Sequence, residues 1–238
     1  MPNPRICFGL LAAMALCIPC LSQHVRENFD RTIFNDDFKE DRQLWDIRSD
    51  AGSLFLVQDG EYLLVRKNKE SEMAALCSWQ LSCPAWEIKT SMKLERNPDS
   101  KTFAGLLFMM QKNLAGGFVL EINAKKQYRI RQIMNGNYRL LTGNLGNKGW
   151  IADAAVQGPG MYNLVRVAYS EKNYDVYLNE TLVRSFSEVN YNEGQFGFVT
   201  GPASTVHADY VRVLSTSACQ LPASVATPGD TSIVHSEK

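Results

Sequence analysis

The sequence has no excess of charge of either sign. Its 238 residues contain 25 Lys and Arg against 25 Asp and Glu, which gives a formal net charge of zero. A protein that neutralises the phosphates of DNA or RNA needs a strongly positive surface. We therefore expect no nucleic-acid partner.

Histidine is scarce, and the motifs that build many hydrolytic and metal sites are missing. Of the three histidines, His24 and His235 lie near the ends of the chain, which leaves His207 as the only candidate base. No Gly-x-Ser-x-Gly segment accompanies it, and no Cys-x-x-Cys pair follows residue 22. These absences argue against a serine or cysteine nucleophile and against zinc. We interpret His207 as an edge or loop residue.

No long stretch of the sequence has the spacing of a capped amphipathic helix. Instead, short runs rich in Val, Ile, Leu, Tyr and Phe are separated by turn residues at steady intervals. The clearest run is 86–94, where Trp86, Ile88 and Met92 alternate with polar residues, as in a strand with one buried face. With 45% hydrophobic residues, the chain can bury a sizeable core. The pattern predicts one all-β sandwich domain over 23–214.

Three dipeptides mark tight turns between these runs. They are 59–60 (Asp-Gly), 135–136 (Asn-Gly) and 179–180 (Asn-Glu). Asn, Asp and Gly tolerate the positive φ angles of two-residue hairpin turns better than other residues. We expect a β-hairpin at each position.

A further hairpin is predicted around a three-residue loop at 124–126. It pairs 117–123 with 127–133 and places Glu121 opposite Arg129. The two faces then carry different side chains: Phe118, Leu120 and Ile122 on the inner face, and Glu121, Arg129 and Arg131 on the outer face.

The first 22 residues have the form of a secretory signal. A short positive region ending at Arg5 precedes an apolar run at 6–21, and cleavage after Ser22 would follow. The run is short for a membrane span, so we expect no transmembrane segment after cleavage. Acylation of Cys17 or Cys20 is the less favoured alternative, because the residues before them are not small. We expect a secreted, periplasmic or cell-surface protein.

Removal of the signal leaves three cysteines, an odd number. In an oxidising compartment Cys77 and Cys83 can close a small disulfide loop, which leaves Cys219 free or in an intermolecular bridge. The alternative is that Cys77 and Cys83 stay reduced in the core or in turns. From 215 to 238 the chain is rich in Ser, Thr, Ala and Pro, which predicts a disordered tail.

Several short segments follow one another in an order typical of one superfamily. They are 34–38 (FNDDF), 59–62 (DGEY), 118–122 (FVLEI), 128–132 (YRIRQ), 162–167 (YNLVRV), 174–179 (YDVYLN), 194–198 (GQFGF) and 208–213 (ADYVRV). Their order resembles the concanavalin A-like lectin/glucanase superfamily, and within it the LamG-like and 3-keto-disaccharide hydrolase-like domains. The resemblance implies an antiparallel jelly roll of two curved sheets, with ligands on the concave face or in end loops. It implies no activity, because lectins, glycosidases, lyases and adhesion modules share this fold.

The resemblance also permits a test for glycosidase residues. Family 16 glycoside hydrolases of this fold carry Glu-x-Asp-x-x-Glu on one strand, whereas the matching register at 121–126 keeps only Glu121. That catalytic motif is absent. A pair assembled from Glu121, Glu87 or Asp175 is the remaining route to hydrolysis, although each is more simply a solvated residue or a cross-strand partner.

Calcium is the one cofactor that the pattern favours. Asp209 shares its side of the run 206–214 with Val211 and Val213, so a carboxylate points the same way as apolar neighbours. Such a carboxylate needs partners, which backbone N–H groups or a structural Ca²⁺ would provide. Related sandwiches often hold calcium where the first and last strands meet, which indicates Asp36, Asp37 and carbonyls near the first strand as further ligands.

Sugar recognition calls for aromatic rings beside planar polar groups. The candidate aromatic residues are Trp79, Tyr138 and Trp150, with Glu121, Asn123, Arg129 and Arg131 as polar partners. For Trp79 the alternative is a place in the core. Alternatively, Trp150 pins a long connection, and Glu121 with Arg129 forms a cross-strand ion pair. The sequence favours an exported carbohydrate-binding or surface-interaction module without catalytic machinery. A glycoside hydrolase and a structural envelope protein are the alternatives.

Overall fold

The structure, a computed structural model, describes residues 24–25, 27–97, 101–188, 191–217 and 219. Within them the chain forms sixteen β-strands and one short 3-10 helix at Lys112–Leu114. The strands are β1 (Arg31–Asp36), β2 (Arg48–Ser49), β3 (Ser53–Gln58), β4 (Glu61–Arg66), β5 (Met73–Leu81), β6 (Ala85–Leu94), β7 (Phe103–Met110), β8 (Gly116–Asn123), β9 (Gln127–Met134), β10 (Asn137–Leu140), β11 (Ile151–Ala152), β12 (Tyr162–Ser170), β13 (Asn173–Leu178), β14 (Thr181–Ser187), β15 (Gly194–Thr200) and β16 (Thr205–Ser215).

The strands form two sheets. The nine-stranded sheet has the order β14-β13-β12-β6-β16-β4-β3-β2, with β1 paired to β16. The seven-stranded sheet has the order β10-β9-β8-β7-β15-β5, with β11 paired to β9. Every strand pair among the described residues is antiparallel. The predicted all-β antiparallel sandwich is confirmed.

The core lies between the two sheets and follows the two-residue alternation. In β6, Trp86, Ile88 and Met92 are fully buried, as the sequence pattern predicts. The ring of Trp86 stacks on Tyr169 of its own sheet and meets Phe108 of the opposite sheet edge to face, at centroid distances of 5.4 and 6.3 Å. Burying such large apolar side chains is the main force that joins the two layers.

The predicted hairpins are all present. At each of the three turns both central residues have positive φ, between 49° and 78°, at 59–60, 135–136 and 179–180. The hairpin of β8 and β9 has the predicted register, with Glu121 opposite Arg129. Because side chains alternate along a strand, this register puts Phe118 in the core and Glu121 on the outward face.

The disulfide joins Cys83 to Cys219, so the predicted Cys77–Cys83 loop is wrong. Cys77 lies within β5 with its side chain in the core, and its thiol is free. Cys83 directly precedes β6, whose first residues pair with the last residues of β16. The chain that leaves β16 therefore returns to Cys83, and Cys219 is buried at 1% exposure.

The predicted signal and the predicted tail differ in how much of each the structure describes. The signal at 1–22 lies outside the described residues. Strand β16 extends to Ser215 and Arg31 donates to the carbonyl of Cys219, so the fold uses the first residues of the predicted tail. Residues 220–238 lie outside the described part. Nowhere in the described ranges is there a helix long and apolar enough to cross a bilayer.

We expect Cys77 to resist alkylation in the folded protein. Burial raises the pKa of its thiol to about 12, and the thiolate is the species that reacts. After iodoacetamide treatment at pH 8 without reductant, mass spectrometry should find the native chain from residue 23 onward unmodified. The urea-unfolded chain should carry one adduct, on Cys77. Rapid native modification of Cys77 would contradict its place in the core.

Candidate functional site

The seven-stranded sheet carries a second, smaller apolar cluster on the face that points away from the core. Successive side chains of a strand point to opposite faces of the sheet. Because most residues of β7, β8 and β15 are apolar, these strands bury apolar side chains on both faces. Trp150 and Leu76 pack against the cluster. Its buried members are Phe103, Leu107, Met110, Val119, Ile133 and Val199. A polar network lies beside this apolar surface.

Glu121 is the centre of that network and has no exposed surface. Arg129 donates through Nε and Nη2, and Arg131 does the same, so each carboxylate oxygen accepts from both guanidinium groups. Removing a charge from water is unfavourable unless charged hydrogen bonds replace the lost hydration. Here two arginines supply four such bonds to one carboxylate.

Glu72 extends the network from the loop between β4 and β5. Arg131 Nη2 lies 3.0 Å from Glu72 Oε2, and the hydroxyl of Tyr138 donates to Glu72 Oε1. Burial alone would lower the pKa of Arg131, but attraction to Glu121 and Glu72 outweighs it and raises that pKa. Burial, together with Glu72, raises the pKa of Tyr138. The network is therefore a chain of fixed charges with a neutral tyrosine at its end.

Two aromatic rings stand over the arginines. The guanidinium carbon of Arg129 lies 4.4 Å from the centre of the Trp150 ring, and that of Arg131 lies 3.7 Å from the centre of the Tyr138 ring. Cation–π attraction of this kind holds a ring in place through one of its faces. Tyr138 is 47% exposed, so its ring remains accessible to a ligand.

These groups line an open cleft of about 420 Å³. Its floor is formed by β7 and β9, one wall by β10 and the chain before β11, and the other wall by the loop between β4 and β5 together with Pro202. The lining residues are Glu70, Ser71, Glu72, Lys101, Thr102, Phe103, Arg129, Arg131, Tyr138, Lys148, Trp150 and Pro202. A few convergent polar groups between apolar walls are the usual make-up of a small-molecule site.

The segment that carries Trp150 is held by its own asparagines. Asn144 N–H donates to Asn147 Oδ1 at 2.9 Å, and Asn147 N–H donates back to Asn144 Oδ1 at 3.1 Å. Trp150 N–H donates to the carbonyl of Asn147 at 3.1 Å. Reciprocal bonds of this type fix a loop without a regular element. Trp150 is thus presented to the cleft by a braced loop.

Arg66 holds the opposite wall and was not predicted from the sequence. It is buried, and its guanidinium donates to the carbonyl and hydroxyl of Ser71 at 3.1 and 2.7 Å and to the hydroxyl of Ser53 at 2.7 Å. Ser71 precedes Glu72, so Arg66 fixes the segment from which Glu72 reaches Arg131. Neither residue belongs to a recognisable motif, and the partners of Glu72, Arg131 and Tyr138, are 59 and 66 residues away in the sequence.

Five of the seven predicted ligand-binding residues belong to this site, and Asn123 and Trp79 do not. Trp79 packs against the main core, beside Phe34 and Phe196. Glu121 lies beneath the cleft, while Arg129, Arg131, Tyr138 and Trp150 line it. The side chain of Asn123 instead accepts from the backbone N–H of Lys125 and Gln127 and donates to the side chain of Gln127. It shapes the turn between β8 and β9.

The reasoning that led to calcium is wrong in its first step. The pairing of β16 with β6 shifts register between Ala208 and Tyr210, so Asp209 is exposed while Val211 is buried. Asp37 is exposed as well, and its hydrogen bond to Lys39 lowers its pKa. Asp209 and Asp37 are thus solvated, and within the described ranges no three His, Cys, Asp or Glu residues are grouped to hold a metal.

Asp36, the neighbour of Asp37, is a structural residue. It is 3% exposed, accepts from Trp45 Nε1 at 2.9 Å through one oxygen, and from the N–H of Phe38 at 3.1 Å through the other. Both oxygens of this buried carboxylate therefore have protein donors. Asp36 ties β1 to the aromatic part of the core.

His207 and the remaining acidic candidates lie on the nine-stranded sheet. The prediction that His207 is an edge or loop residue is wrong, because it lies within β16 between β4 and β6. Its ring nitrogens are 2.6 Å from Glu61 and 2.8 Å from Glu95. Glu87 is held by Lys89 and Arg166, and Asp175 by the N–H of Val25 and by Ser185. None of these side chains lines the cleft.

No family model matches the sequence, and no curated protein matches it. Solved structures are similar in fold. Carbohydrate-binding module CBM66 from Bacillus subtilis is 14% identical with a TM-score of 0.55, covering 70% of this chain and 94% of that one. A protein of unknown function with a galectin-like fold, also from Bacillus subtilis, is 10% identical with a TM-score of 0.59, and the match covers 79% of this chain and 97% of that one. The catalytic domain of an endo-1,3-β-glucanase (laminarinase) from Thermotoga petrophila RKU-1 is 10% identical with a TM-score of 0.53, covering 80% and 100%.

Each of these structures matches over nearly its whole length, so the similarity concerns the complete two-sheet architecture. At such low identity it establishes the fold and carries no information on individual side chains. The chain has the concanavalin A-like jelly-roll fold.

Proposed function

We propose that this chain is a carbohydrate-binding module that binds a glycan in the cleft of the seven-stranded sheet without cleaving it. The observation that carries the proposal is the pairing of two aromatic rings, Tyr138 and Trp150, with two arginines that Glu121 holds in place. A pyranose has an apolar C–H face and a polar rim. It therefore suits a ring beside fixed hydrogen-bonding groups.

The rigidity of the site supports this role. The arginines are fixed by Glu121, the Trp150 loop is braced by its asparagines, and the opposite wall is held by Arg66. A site that is already ordered loses less conformational entropy when a ligand binds. Carbohydrate-binding module CBM66 and the laminarinase domain, which share the fold, are further support for a carbohydrate-related role.

The absence of hydrolysis is part of the proposal. A glycosidase acid must give a proton to the glycosidic oxygen, and a nucleophile must present a free carboxylate oxygen. All four hydrogen bonds that Glu121 receives come from Arg129 and Arg131, and Arg131 also lies between Glu121 and Glu72. Neither carboxylate is therefore placed to act on a sugar. A glycoside hydrolase remains the alternative function.

We expect Trp150→Ala and Tyr138→Ala to weaken glycan binding by about 5- to 30-fold, because each removes a stacking surface worth about 1–2 kcal/mol. Retardation in affinity gels that contain laminarin, levan, xylan or mannan would measure the loss. Tyr162→Ala is the matched control. Tyr162 is 36% exposed, its hydroxyl donates to Glu61 and its ring faces Lys93, but it belongs to the other sheet.

Equal retardation of Tyr138→Ala and Tyr162→Ala would place glycan binding elsewhere. If the unmodified protein is not retarded on any of the gels, the proposed glycan binding is refuted. The hydrolase alternative predicts release of reducing sugar from the retained polysaccharide. Loss of that release in Glu121→Gln, with retardation preserved, would favour the enzyme.

We also propose that the protein is exported. The Cys83–Cys219 disulfide supports this, because such bonds form and persist in oxidising compartments. We expect Gln23 as the first residue of the mature protein recovered from a cell envelope or culture medium, as read by N-terminal sequencing. Recovery of an intact Met1 in a reducing cytosol would contradict export.

A further inference from the structure

A second hollow begins where the proposed glycan cleft ends. It is a groove of about 800 Å³ beside the edge strand β10. Its lining residues are Tyr138, Arg139, Leu140, Asn144, Leu145 and Gly146. Tyr138 lines both hollows, so the two are adjacent at this ring.

The groove differs from the cleft in chemistry. Two of the three guanidinium nitrogens of Arg139 are engaged, since Nε donates to Gln132 at 2.9 Å and Nη2 donates to Glu188. The side-chain oxygen of Asn144 accepts from the N–H of Asn147. The groove therefore offers few hydrogen bonds to sugar hydroxyls, and burying hydroxyls without partners is unfavourable.

An apolar residue of the groove is exposed to water on a rigid loop. Leu145 is 88% exposed at the tip of the loop that also carries Trp150. The loop cannot easily turn this leucine inward, because Asn144 and Asn147 bond to each other and Lys148 N–H donates to the carbonyl of Leu145 at 3.1 Å. A rigid loop thus presents a polar cleft on one side of Tyr138 and an apolar surface on the other.

We propose that the groove is a second subsite, which takes the apolar substituent of a glycoside whose sugar occupies the cleft. The inference rests on the proposed function and narrows it to amphiphilic ligands, in which an alkyl, acyl or aryl group is attached to a neutral sugar. Its occupant follows from two features: adjacency to the cleft at Tyr138, and an apolar lining of Tyr138, Leu140 and Leu145 beside polar groups that already bond within the protein in part.

The test compares methyl and octyl β-D-glycosides of glucose, galactose and mannose, with the octyl compounds below their micelle concentration, by tryptophan fluorescence and calorimetry. For the sugar that binds, we expect the octyl glycoside to bind at least about tenfold more tightly than the methyl glycoside. Leu145→Ser should remove that gain and leave methyl glycoside binding unchanged. Leu182→Ser is the control, since Leu182 is 37% exposed on the other sheet.

The outcomes separate the two proposals. Equal affinity of the methyl and octyl glycosides, or a gain in affinity that persists in Leu145→Ser, would refute the apolar subsite in the groove but not glycan binding in the cleft. Binding of octyl glycosides alone, abolished by Leu145→Ser and with no polysaccharide retained, overturns the glycan cleft and leaves the groove as an apolar site. Binding of no glycoside and no polysaccharide overturns both.

Discussion

Removing the Cys83–Cys219 disulfide is expected to lower the free energy of unfolding by about 2–5 kcal/mol. The two cysteines are 136 residues apart, so the bond restricts the unfolded chain over most of the domain. For a domain of this size the melting temperature should fall by about 2–4 °C for each kcal/mol. Thermal and urea unfolding of a Cys83→Ala/Cys219→Ala double variant would measure the loss.

Reductant provides the matched control for this prediction. Dithiothreitol should lower the melting temperature of the unmodified protein to that of the double variant, and it should leave the double variant unchanged. Cys77→Ala should keep the response to reductant, because Cys77 takes no part in the bond. Peptide mapping that finds Cys77 joined to Cys83 would refute the pairing.

Replacing Glu121 by alanine should destabilise the fold by about 3–5 kcal/mol. The substitution leaves Arg129 and Arg131 without the carboxylate that accepts four of their hydrogen bonds, close to a buried apolar cluster. Urea unfolding would measure the change. Glu180→Ala is the control and should shift stability by less than about 0.5 kcal/mol, since its carboxylate is exposed and 3.9 Å from Arg166.

A triple variant separates loss of an ion network from loss of packing. In Glu121→Leu/Arg129→Met/Arg131→Met the three buried charges are removed together, and only the partly exposed Glu72 loses its arginine. Most of the lost stability should therefore return, while glycan binding should not. If Glu121→Ala unfolds no more easily than Glu180→Ala, the carboxylate is not the buried centre of the network.

The features that were predicted correctly depend on residues close in the sequence. The turns at 59–60, 135–136 and 179–180 follow from residues that tolerate positive φ. The register that sets Glu121 opposite Arg129 follows from a loop of three residues and the alternation around it. Because this hairpin is local, most of the candidate site was within reach of the sequence.

The features that were missed depend on contacts between distant segments or on irregular backbone. Glu72 meets Arg131 through tertiary packing across 59 residues, and Cys219 meets Cys83 across 136 residues. Simple alternation placed Asp209 inward because a register shift in β16 has no clear sequence signal. Asn123 was likewise predicted to contact the ligand, but its side-chain oxygen instead accepts hydrogen bonds from backbone N–H groups of its own turn.

Strand β16 is the last strand along the described chain, yet it lies in the middle of the nine-stranded sheet beside β1, β4 and β6. While the polypeptide emerges from the ribosome, the segments that become these three strands have no shared partner. The two halves of the sheet can join only after nearly the whole domain has been made, and such long-range pairing is slow. We therefore expect a nascent chain of this topology to complete its nine-stranded sheet late, which is compatible with the export proposed above.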